Sequence, residues 1–260
     1  LGDGTGHPRT ASELVRVPCR AVVTSGGRVD GAFASAIGTG VKALAPLGSG
    51  RLIDPVLAAL RGCGIGEIAV VGGPEVAAHL AGSSVTHVAA DADGATNVLR
   101  ALDAWDAGDL LFATSDLPFV TAAALGAFLA ASRAFALTMP LAAGDAYEAA
   151  YPGAPPHVTA LGGERVAGGS VFFIAAAARA PLRRVAGRFF DARKSLLGMA
   201  RLLGPALLVR FLLRRLHVAD VESRACATFG IDAAAIRDAA PALCYDVDTL
   251  DDYRYACARC

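Results

Sequence analysis

The chain has 260 residues, 54% of them hydrophobic and 18% charged, which supplies a sizeable buried core and excludes disorder as the main state. Twenty-four basic side chains balance twenty-four acidic ones, so no global field points to nucleic acid, an anionic membrane or a highly charged protein partner. Any charged ligand must be held by local groups. Six cysteines, at 19, 63, 226, 244, 257 and 260, are too sparse for a disulfide scaffold and suit a reducing, cytoplasmic setting. Only Lys42 and Lys194 are lysines, against twenty-two arginines. In such a chain a retained lysine suggests a need for a compact ammonium on a flexible stem.

Residues 1–18 are polar and turn-rich, lack the apolar stretch of a signal peptide, and read as a flexible N-terminal tail; residues 19–260 read as a single domain. Ala21-Val22-Val23 predicts a short buried strand that stops at Ser25-Gly26-Gly27. Residues 28–41 read as a small-residue loop. Arg51 to Arg61 has Leu52, Val56, Leu57 and Leu60 at helical spacing, with Gly62 and Gly64 as its stop, and Ile68 to Val71 is a second strand. The alternation continues with helix 75–81, strand 85–89, helix 95–104, strand 109–114, helix 121–132 and strand 135–139. Such alternation predicts right-handed βαβ units and an α/β fold with a mainly parallel, mixed sheet flanked by helices. Strands near 157–161 and 170–174, separated by Gly162-Gly163-Glu164, predict an antiparallel excursion. Helices follow from about 176, and a short strand at Leu243-Cys244-Tyr245 precedes a final helix.

Ser195 to Leu216 is strongly apolar, but Arg201, Pro205 and Arg210 interrupt it well short of the roughly 20 residues that cross a bilayer. It reads as two apolar helices divided at Gly204-Pro205, with a basic amphipathic surface helix using Arg210, Arg214 and Arg215 as the alternative. No transmembrane segment is expected.

Ser25-Gly26-Gly27-Arg28 lies at the carboxyl end of the first strand, where open α/β sheets place ligands and glycines let backbone N–H groups approach phosphate. It matches neither G-x-G-x-x-G nor the P-loop. Asp116 follows the strand Leu110 to Ser115 and precedes Leu117-Pro118, a place suited to holding Mg²⁺; its alternative is an N-cap for the helix near Val120. Tyr245-Asp246-Val247-Asp248-Thr249 sets two acids two apart, and Asp251 and Asp252 follow; capping explains one of the four. Cys257 and Cys260 lack a second ligand pair and read as a frayed end. His7, His79, His87, His157 and His217 show no metal spacing, and Trp105 reads as core.

Taken together, these segments resemble the MobA-like NTP transferases, nucleotidyltransferases of the Rossmann-like GT-A fold. The family's L-A-G-G turn is similar to Thr24-Ser25-Gly26-Gly27, its K-x-L to Lys42-Ala43-Leu44 running to Gly48, its following helix to Leu52 through Leu60, its D-x-P to Asp116-Leu117-Pro118, and its closing D-(v/i)-D-T-x-x-D to Asp246 through Asp252. The likeness spans about residues 20–257. Two departures stand out. Arg28-Val29-Asp30-Gly31 is followed by a long alanine- and glycine-rich stretch before the lysine, and Gly168-Gly169-Ser170 stands where many relatives have Asn after Gly-Gly.

The resemblance implies an Mg²⁺-dependent enzyme that transfers an NMP unit from an NTP to a small phosphorylated or hydroxylated acceptor with release of pyrophosphate. It implies Lys42 and Asp116 as catalytic residues, Asp116 and Asp248 as metal ligands, and Ser25, Gly26, Gly27, Arg28, Lys42, Thr96 and Asn97 at the nucleotide. Ser170 and Lys194 are then candidates for the acceptor, and a homodimer is compatible with the family. In-line attack on an α-phosphorus needs cations and positioning more than a protein nucleophile. Within the same fold the alternative is a glycosyltransferase using Asp246-Val247-Asp248 on a nucleotide sugar; outside catalysis it is a nucleotide-binding homologue.

Overall fold

The apolar run after Cys19 becomes β1 (Cys19–Thr24), which leads through α1 (Gly31–Ile37) to a small hairpin, β2 (Pro46–Leu47) and β3 (Gly50–Arg51). Then come α2 (Asp54–Gly62), β4 (Ile68–Gly72), α3 (Pro74–His79), β5 (Thr86–Ala89), α4 (Gly94–Leu102) and β6 (Asp109–Thr114). The second half runs α5 (Ala122–Ser132), β7 (Leu137–Ala143), α6 (Gly144–Ala150), β8 (Thr159–Leu161), β9 (Glu164–Gly168), β10 (Val171–Ile174) and α7 (Arg179–Ala192). It closes with α8 (Pro205–Leu212), α9 (Val218–Phe229), β11 (Ala233–Arg237) and α10 (Leu250–Cys257). This computed structural model describes residues 19–192 and 204–260. The tail 1–18, Lys194 and the start of the apolar segment, 195–203, lie outside the described residues.

Among the described residues nine strands form one mixed sheet, parallel along β5-β4-β1-β6 and antiparallel where β10 joins β6 to β7 and where β8 and β9 follow. Val23 of β1 sits in register with Val70 on one side and Ala113 on the other. Alternate side chains feed two cores. Ala21, Val23, Val70 and Leu111 face α2 and α5, while Val22, Ala69, Leu110 and Phe112 face α4 and Trp105. Each fully buried aliphatic side chain there stabilises the fold by roughly 1.5–3 kcal/mol. Trp105 is core, as expected, and its Nε1 donates to Ala21 O at 3.1 Å. The strand order turns back on itself between β1 and β6, which leaves a crevice outside their carboxyl ends, where Ser25 and Asp116 lie.

Four local expectations are corrected. Residues 28–41 are not a plain loop. They contain α1, ended by Gly38 at φ 69°, and fold back so that Arg28 bridges Val41 and Val29 N donates to Gly40 O at 3.1 Å. The weak apolar period of Gly, Ala and Ser hid that helix. The helix expected from Arg51 begins at Asp54, because Arg51 belongs to β3 and its N donates to Asp54 Oδ2 at 2.7 Å. Leu243 to Tyr245 is not a strand. Pro241–Leu243 forms a 3₁₀ turn, and the apolar run reflects burial of Leu243, Cys244 and Tyr245. Finally, α6 and β11 were not anticipated. Ala233-Ala234-Ala235 has helix-forming residues, and only pairing with β7 makes it a strand. The turn Gly162-Gly163, with φ of 55° and 90° that a side chain would strain, joins β8 not to the expected strand near 170–174 but to β9, which was not anticipated, while β10 pairs with β6 and β7.

Candidate active site

The turn after β1 is fastened by its serine and kept open by its glycines. Ser25 is buried, and both its N and its Oγ donate to Val71 O, at 2.9 and 3.0 Å. Neither Gly26 nor Gly27 has positive φ, so conformational freedom is not their role. A Cβ on Gly26 would stand 3.3 Å from Asn97 Nδ2, and one on Gly27 would stand 3.3 Å from Lys42 Cε. The glycines let two distant segments close on the turn. Gly27 O also accepts from Lys42 N at 3.0 Å, so the fold-back of residues 28–41 delivers the lysine to the glycine. Arg28 is exposed and paired with Glu75 at 3.1 Å.

All three directions of the Lys42 ammonium are taken: it is ion-paired with Asp116, donates to Val247 O at 2.8 Å and reaches Asp248 Oδ1 at 3.3 Å. The side chains of Lys42 and Asp116 are 15% and 8% exposed, whereas Asp248 is 69% exposed. Burial pushes the Lys42 pKa down, but the charges of Asp116 and then Asp248 outweigh it and hold the group above the ordinary lysine range. Asp116 is not a helix cap, since Thr121 caps α5 by accepting from Ala124 N. Its Oδ1 is buried without a hydrogen-bond partner, and its main-chain O accepts from Val247 N at 3.0 Å.

The acidic segment divides into structural and site-facing groups. Thr249 caps α10, and Asp252 Oδ2 accepts from Thr249 N at 2.7 Å and Asp248 N at 3.2 Å. Asp251 pairs with Arg254 at 3.1 Å on the surface. Asp252 Oδ1 lies 3.0 Å from His157 Nε2, and His157 Nδ1 lies 3.6 Å from Asp246 Oδ1. Ser170 Oγ donates to Asp246 Oδ2 at 2.7 Å. Burial holds the Asp246 carboxyl above its ordinary value; the Ser170 bond opposes this, and the charges of Asp116 and Asp248 add to it. Asp252 shifts the other way, because bonds from Thr249 and His157 outweigh its burial.

Of the candidate residues, the structure brings Lys42, Asp116 and Asp248 together beside Gly26 and Gly27, and sets Asn97 against Gly26. Asn97 closes its own turn, accepting from Asp91 N at 2.6 Å and donating to Asp91 O at 2.9 Å. Thr96 Oγ1 donates to Asp93 Oδ2 at 2.8 Å, in the cap of α4. Ser170 belongs to the carboxylate group through Asp246. Sequence reasoning left His157 a lone histidine whose one candidate role was an approach to the acceptor, and used Asp246 only in the closing motif and in the D-x-D of the glycosyltransferase alternative. His157 and Asp252 stand 95 positions apart, which leaves no spacing to read. Among the described residues no three His, Cys, Asp or Glu side chains gather as a metal cage, and no helix is long and apolar enough to cross a membrane.

The family model for the MobA-like NTP transferase domain matches residues 21–204. A hypothetical transferase from Thermus thermophilus is 31% identical, with a TM-score of 0.76 over 91% of this chain and 99% of that one. A Mycobacterium tuberculosis protein solved with manganese is 17% identical, with a TM-score of 0.55 over 94% of this chain and all of that one (100%). The 2-C-methyl-D-erythritol 4-phosphate cytidylyltransferase of Thermus thermophilus is 18% identical, with a TM-score of 0.51 over 92% and 97% of the two chains. The last two likenesses are of fold. No curated protein matches the sequence.

Proposed function

The chain belongs to the MobA-like NTP transferase family, with its GT-A-like nucleotidyltransferase fold, and we propose that it transfers an NMP unit from an NTP to a small phosphorylated or hydroxylated acceptor with release of pyrophosphate. The observation that carries this reading is the Lys42 ammonium, packed on Gly27 and shared between Asp116 and Asp248 at the mouth of the β1–β6 crevice. A divalent cation fits this donor set. Asp116 has a buried carboxylate oxygen without a partner, and Asp248 presents an exposed carboxylate beside it. Two carboxylates without a full cage suit Mg²⁺, whose shell is commonly completed by water and substrate phosphate. Asp116 and Asp248 would hold the cation, which neutralises developing charge on phosphoryl oxygens.

The protein's own residues position the substrates. The Gly26-Gly27 turn gives the triphosphate close access to main-chain N–H groups, and Lys42 supplies a point charge at that edge. Since the ammonium already has three partners, it meets phosphate by exchange. Asp248, exposed and at the longest distance, is the partner it gives up most readily. Asp116 and the Val247 carbonyl keep the stem aimed. In this reading Asn97, set against Gly26, faces the nucleoside end, and Ser170, bonded to Asp246, belongs to the acceptor side.

The chain incubated with each of the four NTPs, Mg²⁺ and a metabolite extract should release pyrophosphate and add one NMP mass to an acceptor. Absence of pyrophosphate with every NTP would overturn the reading. Release of sugar or NDP from a nucleotide sugar would move it to glycosyl transfer, and thermal stabilisation by NTP without product would make the chain a nucleotide-binding protein.

A further inference from the structure

Helix α8 carries one charged side chain, Arg210, and is otherwise apolar all round, the pattern of a helix enclosed by a core or a membrane. Yet none of its residues is buried. Leu207 and Leu208 are half-buried, while Pro205, Ala206, Val209 and Leu212 are exposed, as is Leu213 just past the helix end. Among the described residues the large hydrophobic side chains that stand exposed are Val209 (52%), Phe211 (43%), Leu212 (67%) and Leu213 (60%), all within five positions of the chain. Scattered exposed apolar residues need no explanation, but a cluster confined to one helix end marks a face that something covers. The charge beside it is of one sign. Arg210 is ion-paired with Asp220, whereas Arg214 and Arg215 are exposed and make no ion pair or side-chain hydrogen bond among the described residues. Arg214 also holds a left-handed backbone, φ 55°, in the turn that ends the helix. Helices α1 and α9 fill their left-handed end positions with Gly38 and Gly230. At α8 a cation is kept where the backbone favours glycine.

We propose that the end of α8 is a peripheral attachment site for an anionic lipid bilayer, with Val209, Leu212 and Leu213 entering the boundary between headgroups and acyl chains and Arg214 and Arg215 meeting lipid phosphate. A second copy of the chain fits less well. Four exposed side chains fall far short of the roughly 20–30 residues a side of a stable protein interface, and a two-fold pairing of this patch with itself would bring the unpaired arginines against each other. Eight residues rise only about 12 Å, so the helix lies at the surface and does not cross it. So few groups give reversible attachment, in which neither the apolar nor the basic part suffices alone.

Flotation of the full chain with lipid vesicles tests the proposal. The parent should float with vesicles of phosphatidylcholine and phosphatidylglycerol at about 3:1, should bind phosphatidylcholine vesicles at least about tenfold more weakly, and should be released as salt is added. Leu212→Gln combined with Leu213→Gln should abolish flotation without lowering Tm, since both side chains stand in solvent. Arg214→Gly should weaken binding to the anionic vesicles severalfold and also leave Tm no lower, because glycine suits that backbone. Absence of flotation in the parent, equal binding to the neutral vesicles, flotation that survives the double leucine variant, or Arg214→Gly without effect on it would overturn the proposal. So would analytical ultracentrifugation in which the parent sediments as a dimer and the double variant as a monomer, because a second copy would then cover the face.

Discussion

The two flanks of the crevice treat buried charge in opposite ways. On the β1 side Lys42 and Asp116 compensate each other, and the lysine is held above its ordinary range by carboxylates that outweigh its burial. On the α10 side Asp246 has a neutral hydroxyl at 2.7 Å and a histidine at 3.6 Å, and burial dominates its shift. One flank pairs its charges within the protein and leaves only Asp116 Oδ1 without a partner. The other carries an under-compensated carboxylate, a common signature of groups placed for function at the expense of stability. Breaking the first flank should therefore cost both activity and stability, whereas relaxing the second should separate them.

The largest effect is expected from Asp116→Asn, which removes the proposed cation ligand and the main partner of Lys42. Pyrophosphate release should fall by more than about a hundredfold, on the order of 2.7 kcal/mol of barrier. Circular dichroism should show the fold retained with a lowered Tm, as befits a broken, mostly buried pair. Full activity in that variant would remove the mechanism. Lys42→Arg comes next. The lysine stem packs on Gly27 and its ammonium meets three converging acceptors, a geometry that a planar fork does not reproduce. Activity should drop by at least about tenfold, on the order of 1.4 kcal/mol, and parental kinetics would show that the lysine is incidental. On the opposite flank His157 lies between Asp246 and Asp252, where it is expected to position them. His157→Ala should lower kcat by about three- to tenfold, or roughly 0.7–1.4 kcal/mol, with little change in the KM for NTP. His157→Gln, which restores a donor, should recover part of it; an unaltered kcat in the alanine variant would make the histidine purely structural.

The same division explains what the sequence could disclose. The β1 flank is built from short chain segments next to strand ends, and Ser25-Gly26-Gly27, Lys42 and Asp116 could be picked out by position and residue type. The α10 flank joins Asp246 and Asp252, which the closing motif marked, to residues 157 and 170, which stand on other elements at no fixed spacing. His157 accordingly looked like a lone histidine, and nothing in the sequence joined Ser170, a candidate for the acceptor, to Asp246. The fold behaved likewise. Strands buried on both faces, such as β1, β4 and β6, were legible from apolar runs, while β11 exists only because β7 offers an edge. Helix α1 escaped notice for a different reason: its glycine- and alanine-rich segment carries little apolar contrast, yet its fold-back sets Lys42 against Gly27.

The smallest effect distinguishes the flanks most directly, because it is a gain. Asp246→Asn keeps an oxygen that can accept from Ser170 and deletes a charge that burial disfavours. At neutral pH the variant should melt higher than the parent by roughly 1–3 °C, while turnover falls. The pH dependence fixes the sign. A carboxyl whose folded pKa is raised destabilises the native state when ionised, so stability is regained as pH falls through that folded value. Asp252, lowered in the folded state, contributes stability above its unfolded value that is lost as pH falls through its folded one. On acidification from pH 7 the parent should gain a little stability at Asp246 before losing stability at Asp252. Asp246→Asn should abolish the early gain and keep the later loss, and Asp252→Asn should do the reverse from a lower starting Tm, as expected for a weakened cap. Melting curves recorded across pH 3–7 for the three proteins check this. An Asp246→Asn variant that melts lower than the parent at every pH would mean that the carboxylate is compensated after all, and the contrast between the flanks would fall.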